Sequence, residues 1–352
     1  MKFWEKNIRT VIPYVPGEQP NQRGMIKLNT NENPYPPAPG VARAIGELSA
    51  DRLRLYPDPK AELLVQELAR YHGLDGDQVF VGVGSDDVLA MCFLTFFNSG
   101  KPIFFPDITY SFYDVWADLF RIPYERQPLD EKLQIKKEDY YRDNGGVIFP
   151  NPNAPTGVIQ ELGDVEDIIS HNRDVIVIVD EAYIDFGGKS ARELIHKYDN
   201  LLVVQTFSKS RSMAGIRIGY AMGNKALIKY LNDVKYSFNS YTMNAPSILL
   251  GAEALKDEAY FRETTEKIIA TRERVKRELV KLGFSFPDSK SNFLFITHER
   301  VAARELFEAL KIKKIYVRYF NKPRIDNYLR VTIGTEEEMD VFLTFLKRYM
   351  ED

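Results

Sequence analysis

The chain reads as an α/β protein: a mainly parallel central sheet covered by helices, followed by a smaller α+β domain. Short apolar runs recur at 79–83, 102–105, 146–149, 175–179 and 201–204 with no polar alternation. Strands of that kind are apolar on both faces, as a parallel sheet buried on both sides requires. Segments of helix length separate them, which is the spacing of crossover connections. Beyond Tyr241 the order changes to long helical stretches and then isolated strand-like runs.

With 352 residues the chain is too long for one small core, and two domains are expected. We divide it into an arm over 1–40 that joins the small domain, a large domain over 41–245 and a small C-terminal domain over 246–352. The arm reads as extended because Pro13, Pro16, Pro20, Pro34, Pro36, Pro37 and Pro39 oppose helix. It is ordered only where it packs on its own body or on a partner subunit. From Pro59 a helix is predicted, with Leu64, Leu68 and Tyr71 on one face. Helices are expected over 246–282 and 302–310, and strands at 292–296 and near Ile315 and Leu329. A closing amphipathic helix carries Met339, Phe342, Leu343 and Leu346.

Composition excludes several classes of function. A net charge of −3 gives no reason to expect nucleic acid or an anionic membrane as partner. A single cysteine, Cys92, rules out an intrachain disulfide and a thiolate metal cluster, and suits a cytoplasmic protein. The four histidines form no HExxH, so no metal site is expected. The N-terminus lacks the apolar core of a signal peptide, and the apolar run 88–97 is too short to span a bilayer.

The chemistry centres on Thr206-Phe207-Ser208-Lys209, followed by Arg217. Lysine amines form Schiff bases with carbonyl compounds, pyridoxal phosphate among them. Two hydroxyls and a guanidinium are what a phosphate held nearby needs. Asp180, after a strand, is either a helix N-cap or the partner of a protonated pyridine nitrogen. Tyr183 is a packing residue or a donor to the cofactor's phenolic oxygen. Asn151-Pro152-Asn153-Ala154-Pro155-Thr156-Gly157 is a turn, or a rigid loop presenting an amide. Gly82-Val83-Gly84-Ser85-Asp86-Asp87 opens a helix whose start favours a phosphate. It is no dinucleotide fingerprint, since Asp87 stands where the third glycine belongs. Tyr110 stacks on a ring or packs in the core. Arg330, between Leu329 and Val331, reads as a grip on a substrate anion.

Together these motifs resemble the class I/II pyridoxal phosphate aminotransferases of fold type I. The segments 28–34, 56–58, 291–293 and 329–335 are similar to those of the histidinol-phosphate aminotransferase family. The resemblance covers essentially the whole chain. It implies pyridoxal 5'-phosphate as cofactor, Lys209 as the Schiff-base lysine, Asp180 as the ring-nitrogen partner and Tyr183 as the phenolic-oxygen donor. Ser85, Asp86, Thr206, Ser208 and Arg217 resemble the phosphate cup, and Tyr110 the stacking aromatic. Tyr56 resembles the tyrosine that reaches the neighbouring subunit's cofactor, which implies a homodimer. Tyr14, Asn33, Arg318 and Arg330 resemble substrate-anion contacts. Family members usually carry Asn where this chain has Ala154, so either Asn153 supplies that amide from one position upstream or the hydrogen bond is missing. The implied reaction moves an amino group between L-histidinol phosphate and 2-oxoglutarate. An aromatic or broad-specificity aminotransferase and a threonine-phosphate decarboxylase share the fold and remain alternatives.

Overall fold

The computed structural model describes residues 2–351. The arm leads from a 3-10 turn at Phe3–Asn7 into β1 (Ile26–Lys27). There follow α1 (Pro39–Gly46), α2 (Glu62–His72), β2 (Val79–Gly82), α3 (Ser85–Phe96), β3 (Ile103–Pro106), α4 (Phe112–Phe120), β4 (Tyr124–Gln127), β5 (Val147–Pro150) and α5 (Leu162–His171). The large body closes with β6 (Val177–Asp180), β7 (Leu201–Thr206), β8 (Gly219–Gly223) and α6 (Lys225–Phe238). After α7 (Ala245–Ala254) and α8 (Glu258–Lys281) come β9 (Phe284–Ser285), β10 (Phe293–His298) and α9 (Ala303–Ile312). The chain ends with β11 (Ile315–Tyr316), β12 (Arg318–Tyr319), β13 (Leu329–Thr332) and α10 (Glu336–Glu351).

The main sheet has seven strands in the order β2-β8-β7-β6-β5-β3-β4. Only β8 runs antiparallel to its neighbours. Alternate side chains feed two cores. Val147, Phe149, Val177, Val179 and Val203 face one side. Ile148, Ile178, Leu202 and Val204 face the other. A third core joins Leu28 of the arm to α8, β10, β13 and α10. β1 pairs in parallel with β11, so the arm packs on its own body.

Four details differ from the sequence reading. α1 opens at Pro39, inside the stretch expected to be extended, because proline is tolerated in a helix's first turn. The helix expected from Pro59 starts at Glu62. The stretch 246–282 breaks before Glu258, where the Asp257 side chain accepts from the Tyr260 N–H and starts a new helix. β4 and β8 escaped notice: Tyr124-Glu125-Arg126-Gln127 is polar, and Gly219-Tyr220-Ala221-Met222-Gly223 is glycine-bounded and short of β-branched residues. Among the described residues no helix is long and apolar enough to cross a membrane.

Candidate active site

A cavity of about 270 Å3 lies beyond the carboxyl ends of the parallel strands, where sheets of this kind take ligands. Asp180 is the last residue of β6 and Thr206 the last of β7, while Ser85 and Asp86 open α3 just past β2. Lys209, Arg217, Tyr110 and Tyr183 complete one side, and Tyr14, Thr30, Asn31, Arg318 and Arg330 the other. A wider cleft of about 590 Å3 is lined by Glu131, Lys132, Glu161, Asp164, Asp288 and Lys290, of which Lys290 pairs with Asp288, and it holds none of the residues singled out above. The chemistry-bearing side chains converge in the smaller cavity.

Asp180 is buried. Its Oδ2 accepts from the Tyr113 hydroxyl at 2.9 Å and its Oδ1 from the Ala182 N–H at 3.3 Å. Burial pushes its pKa up to about 6, against the pull of those two donors. An acid so placed gains most from a cation set before it. The N-cap alternative fails, because no regular helix begins there.

Lys209 reaches the cavity from the loop after β7. Its Nζ donates to the Thr30 carbonyl at 3.2 Å and stands 5.7 Å from the Tyr183 ring centroid. The backbone that carries it is held by Asn33, whose Nδ2 lies 3.1 Å from the carbonyls of both Lys209 and Ser210. The Ser210 hydroxyl in turn donates to Asp185 at 2.5 Å.

Around the start of α3 a second cluster forms. The Tyr110 hydroxyl donates to Asp86 Oδ1 at 2.8 Å, and Arg217 Nη2 lies 3.5 Å from Asp86 Oδ2. Arg217 Nη1 is 3.4 Å from the Ser208 hydroxyl, which is 3.0 Å from that of Thr206. Gly84, at φ +87°, holds no side chain; a Cβ there would lie 2.4 Å from Arg217 Nη2. Arginine, hydroxyls and free helix N–H groups around a space cleared by glycine fit a phosphate.

Arg318 and Arg330 face each other directly across β12 and β13. Like charges in that register repel, and neither has a salt-bridge partner among the described residues. Arg330 Nη2 donates to the Asn29 carbonyl at 3.0 Å, its Nε has no partner, and burial lowers its pKa. Both arginines are thus free to take an anion. Tyr14 lies flat on Phe112 at 4.2 Å beside them.

Three expected site residues are placed elsewhere. Asn153 does not reach the cavity: its Nδ2 donates to Ile108 O and lies 3.1 Å from the Thr156 hydroxyl, and its Oδ1 accepts from Thr109. Ala154 lines the cavity instead, so the amide expected from that loop is missing. Asn33 spends its amide on the Lys209 loop rather than facing a substrate. Tyr56 lies outside the cavity, 83% exposed and 4.7 Å from the Tyr241 ring. Sequence reasoning also missed Tyr113, Asn31 and Thr30. Tyr113 follows Tyr110 by three residues at the start of α4, a spacing that could have flagged it.

The residues fit pyridoxal 5'-phosphate: a buried acid lacking a cation, a lysine amine held only by a carbonyl, and an anion cradle at a helix start. Comparison with known proteins agrees. A model of the family aminotransferase class I and II matches residues 23–346. A histidinol-phosphate aminotransferase of Lactococcus lactis subsp. cremoris (strain MG1363) is 51% identical over 349 residues, 99% of this chain and 98% of that one. The solved histidinol-phosphate aminotransferase of Clostridium acetobutylicum superposes with a TM-score of 0.85 at 25% identity, covering 93% of this chain and 99% of that one. That of Sinorhizobium meliloti, in complex with pyridoxal-5'-phosphate, gives a TM-score of 0.84 at 23% identity, covering 93% and 91%.

Proposed function

The chain belongs to the class I and II aminotransferases, and we propose that it moves an amino group between L-histidinol phosphate and 2-oxoglutarate in histidine biosynthesis. The observation that carries this reading is the convergence of Lys209, Asp180 and the unpaired Arg318–Arg330 couple on one cavity. Both substrates are anionic at the end remote from the reacting carbon, so one arginine pair serves both.

Bound in the cavity, pyridoxal 5'-phosphate supplies the electron sink that lets the substrate's Cα–H bond break. The remaining work belongs to the chain. Asp180 holds the proton on the ring nitrogen. Tyr183 would donate to the phenolic oxygen, and Tyr110 would pack on the ring. Ser85, Thr206, Ser208 and Arg217 hold the phosphate, with Asp86 fixing Tyr110 and Arg217. With the cofactor bound, the Lys209 amine would be the base that takes the proton from the substrate's Cα and the acid that gives it back. Arg318, Arg330 and Tyr14 hold the far anion and so fix which bond faces the lysine.

We assign 1–40 and 246–352 to one small domain and 41–245 to the large one, supported by the β1–β11 pairing and the shared core around Leu28. The proposed assembly is a homodimer in the cytoplasm, with Tyr56 completing the partner's site. Leu53, Leu55 and Tyr56 stand exposed together in support of that contact.

The test is an amino-donor panel with 2-oxoglutarate: L-histidinol phosphate, phenylalanine and threonine phosphate, with CO2 monitored. The proposal expects kcat/KM for L-histidinol phosphate to exceed the others by at least about a hundredfold, roughly 3 kcal/mol of differential binding. Equal turnover of phenylalanine, or CO2 from threonine phosphate, would refute it.

A further inference from the structure

We propose that Asn31 is a positioning residue that aims the Tyr183 hydroxyl proton into the active-site cavity. This rests on the reading of Tyr183 as the donor to the cofactor's phenolic oxygen.

Asn31 sits in the arm with φ +56°, almost wholly buried, and every polar group it owns is engaged. Its Nδ2 donates to the Tyr183 oxygen at 2.9 Å. Its backbone N–H donates to the Thr332 hydroxyl at 3.0 Å, and that hydroxyl donates back to Asn31 Oδ1 at 3.1 Å. Its carbonyl accepts from Asn292 Nδ2 at 3.0 Å. The reciprocal pair with Thr332 fixes which end of the amide faces Tyr183. The threonine oxygen already accepts the Asn31 N–H, so its own proton must go to an acceptor, and Oδ1 is the one at hand.

The consequence lies in the chemistry of a phenol. A hydroxyl oxygen that accepts from Asn31 keeps its own proton for another partner. That proton then points to whatever sits beside Lys209. Without the donor from Asn31 the phenol is free to turn its proton away. The other charged or titratable groups facing Tyr183 are Lys209, Arg330 and Tyr110. None of them hydrogen-bonds the Tyr183 oxygen, so Asn31 alone sets the direction. Asparagine also tolerates the left-handed backbone at this position better than most residues do.

Asn31→Asp tests the inference. Aspartate keeps the backbone and the acceptor for Thr332, but presents an acceptor to Tyr183, which reverses the hydrogen bond. The readout is the pH midpoint of the colour change of the holoenzyme's bound cofactor. A donor on the phenolic oxygen stabilises its negative charge and loosens the neighbouring nitrogen's proton, so losing the donor raises the midpoint. Asn31→Asp and Tyr183→Phe are each expected to raise it by about one unit. In the Tyr183→Phe background the same substitution is expected to add less than a third of that shift. An equal shift in both backgrounds would make the effect one of added charge and overturn the inference. So would a lowered melting temperature with no shift. If Asn31→Asp does not fold, Asn31→Gly keeps the left-handed backbone and is expected to give a smaller rise; no rise would overturn the inference. A wild-type protein that forms no coloured complex would instead refute the reading of the cofactor site.

Discussion

Tyr113 donates its hydroxyl proton to Asp180 at 2.9 Å; both side chains are buried, and Asp180 lines the cavity. The tyrosine favours the ionised acid, which burial otherwise disfavours. Tyr113→Phe leaves the acid with the Ala182 N–H alone and pushes its pKa higher. A hydrogen bond to a charged group contributes about 1.5–3 kcal/mol, so kcat is expected to fall roughly ten- to a hundredfold with KM little changed. Steady-state kinetics decides, and a kcat within twofold of wild type contradicts the role.

Asp180 also sets a pH dependence of stability. Its pKa is raised to about 6 from an ordinary 3.8, so the native cofactor-free protein holds that proton more tightly than the unfolded chain. The ionised group therefore opposes folding above pH ~6, by about 3 kcal/mol for two pKa units, and the cost disappears below pH ~4. Cofactor-free Asp180→Asn is expected to melt above wild type at pH 8 and not at pH 4. Adding cofactor is expected to reverse the order at pH 8, because the mutant lacks the acid that pairs with the ring. Melting curves with and without cofactor test both statements.

The facing arginines predict a binding defect. Replacing Arg330 by Lys keeps charge but loses the planar fork. KM for L-histidinol phosphate and for 2-oxoglutarate is expected to rise together, by about tenfold or more, with a smaller change in kcat. Arg318→Ala relieves the repulsion across β12 and β13 and is expected to leave the cofactor's colour unchanged. A KM change confined to one substrate would divide the shared anion site.

Much of this site was legible because a parallel sheet delivers its loops to one edge. Asp180, Thr206, Ser85 and Tyr110 each follow an apolar run, so strand prediction alone placed them together. The unread parts depend on which way side chains point. Asn33 and Asn153 lie in the right segments but turn their amides to nearby carbonyls, while Asn31, two residues earlier, points inward. Tyr113 carries no motif, and its tie to Asp180 comes from α4 packing on the sheet. β8 escaped because its two terminal glycines hide the strand: Gly219 is needed where a Cβ would lie 2.3 Å from the Gly84 backbone.

Tyr56 predicts complementation between subunits. Lys209→Ala and Tyr56→Ala proteins are each expected to be nearly inactive. In a homodimer with shared sites, refolding them together yields hybrids with one intact site, and about a quarter of wild-type activity is expected. No recovery beyond the sum of the separate variants would place Tyr56 outside the partner's site.

The most direct measurement is borohydride reduction of the protein loaded with pyridoxal 5'-phosphate, followed by peptide mass analysis. The account predicts a yellow complex whose label is fixed on the peptide carrying Lys209, with neither colour nor label in Lys209→Ala. A label on another lysine, or a colourless wild-type protein, would contradict it.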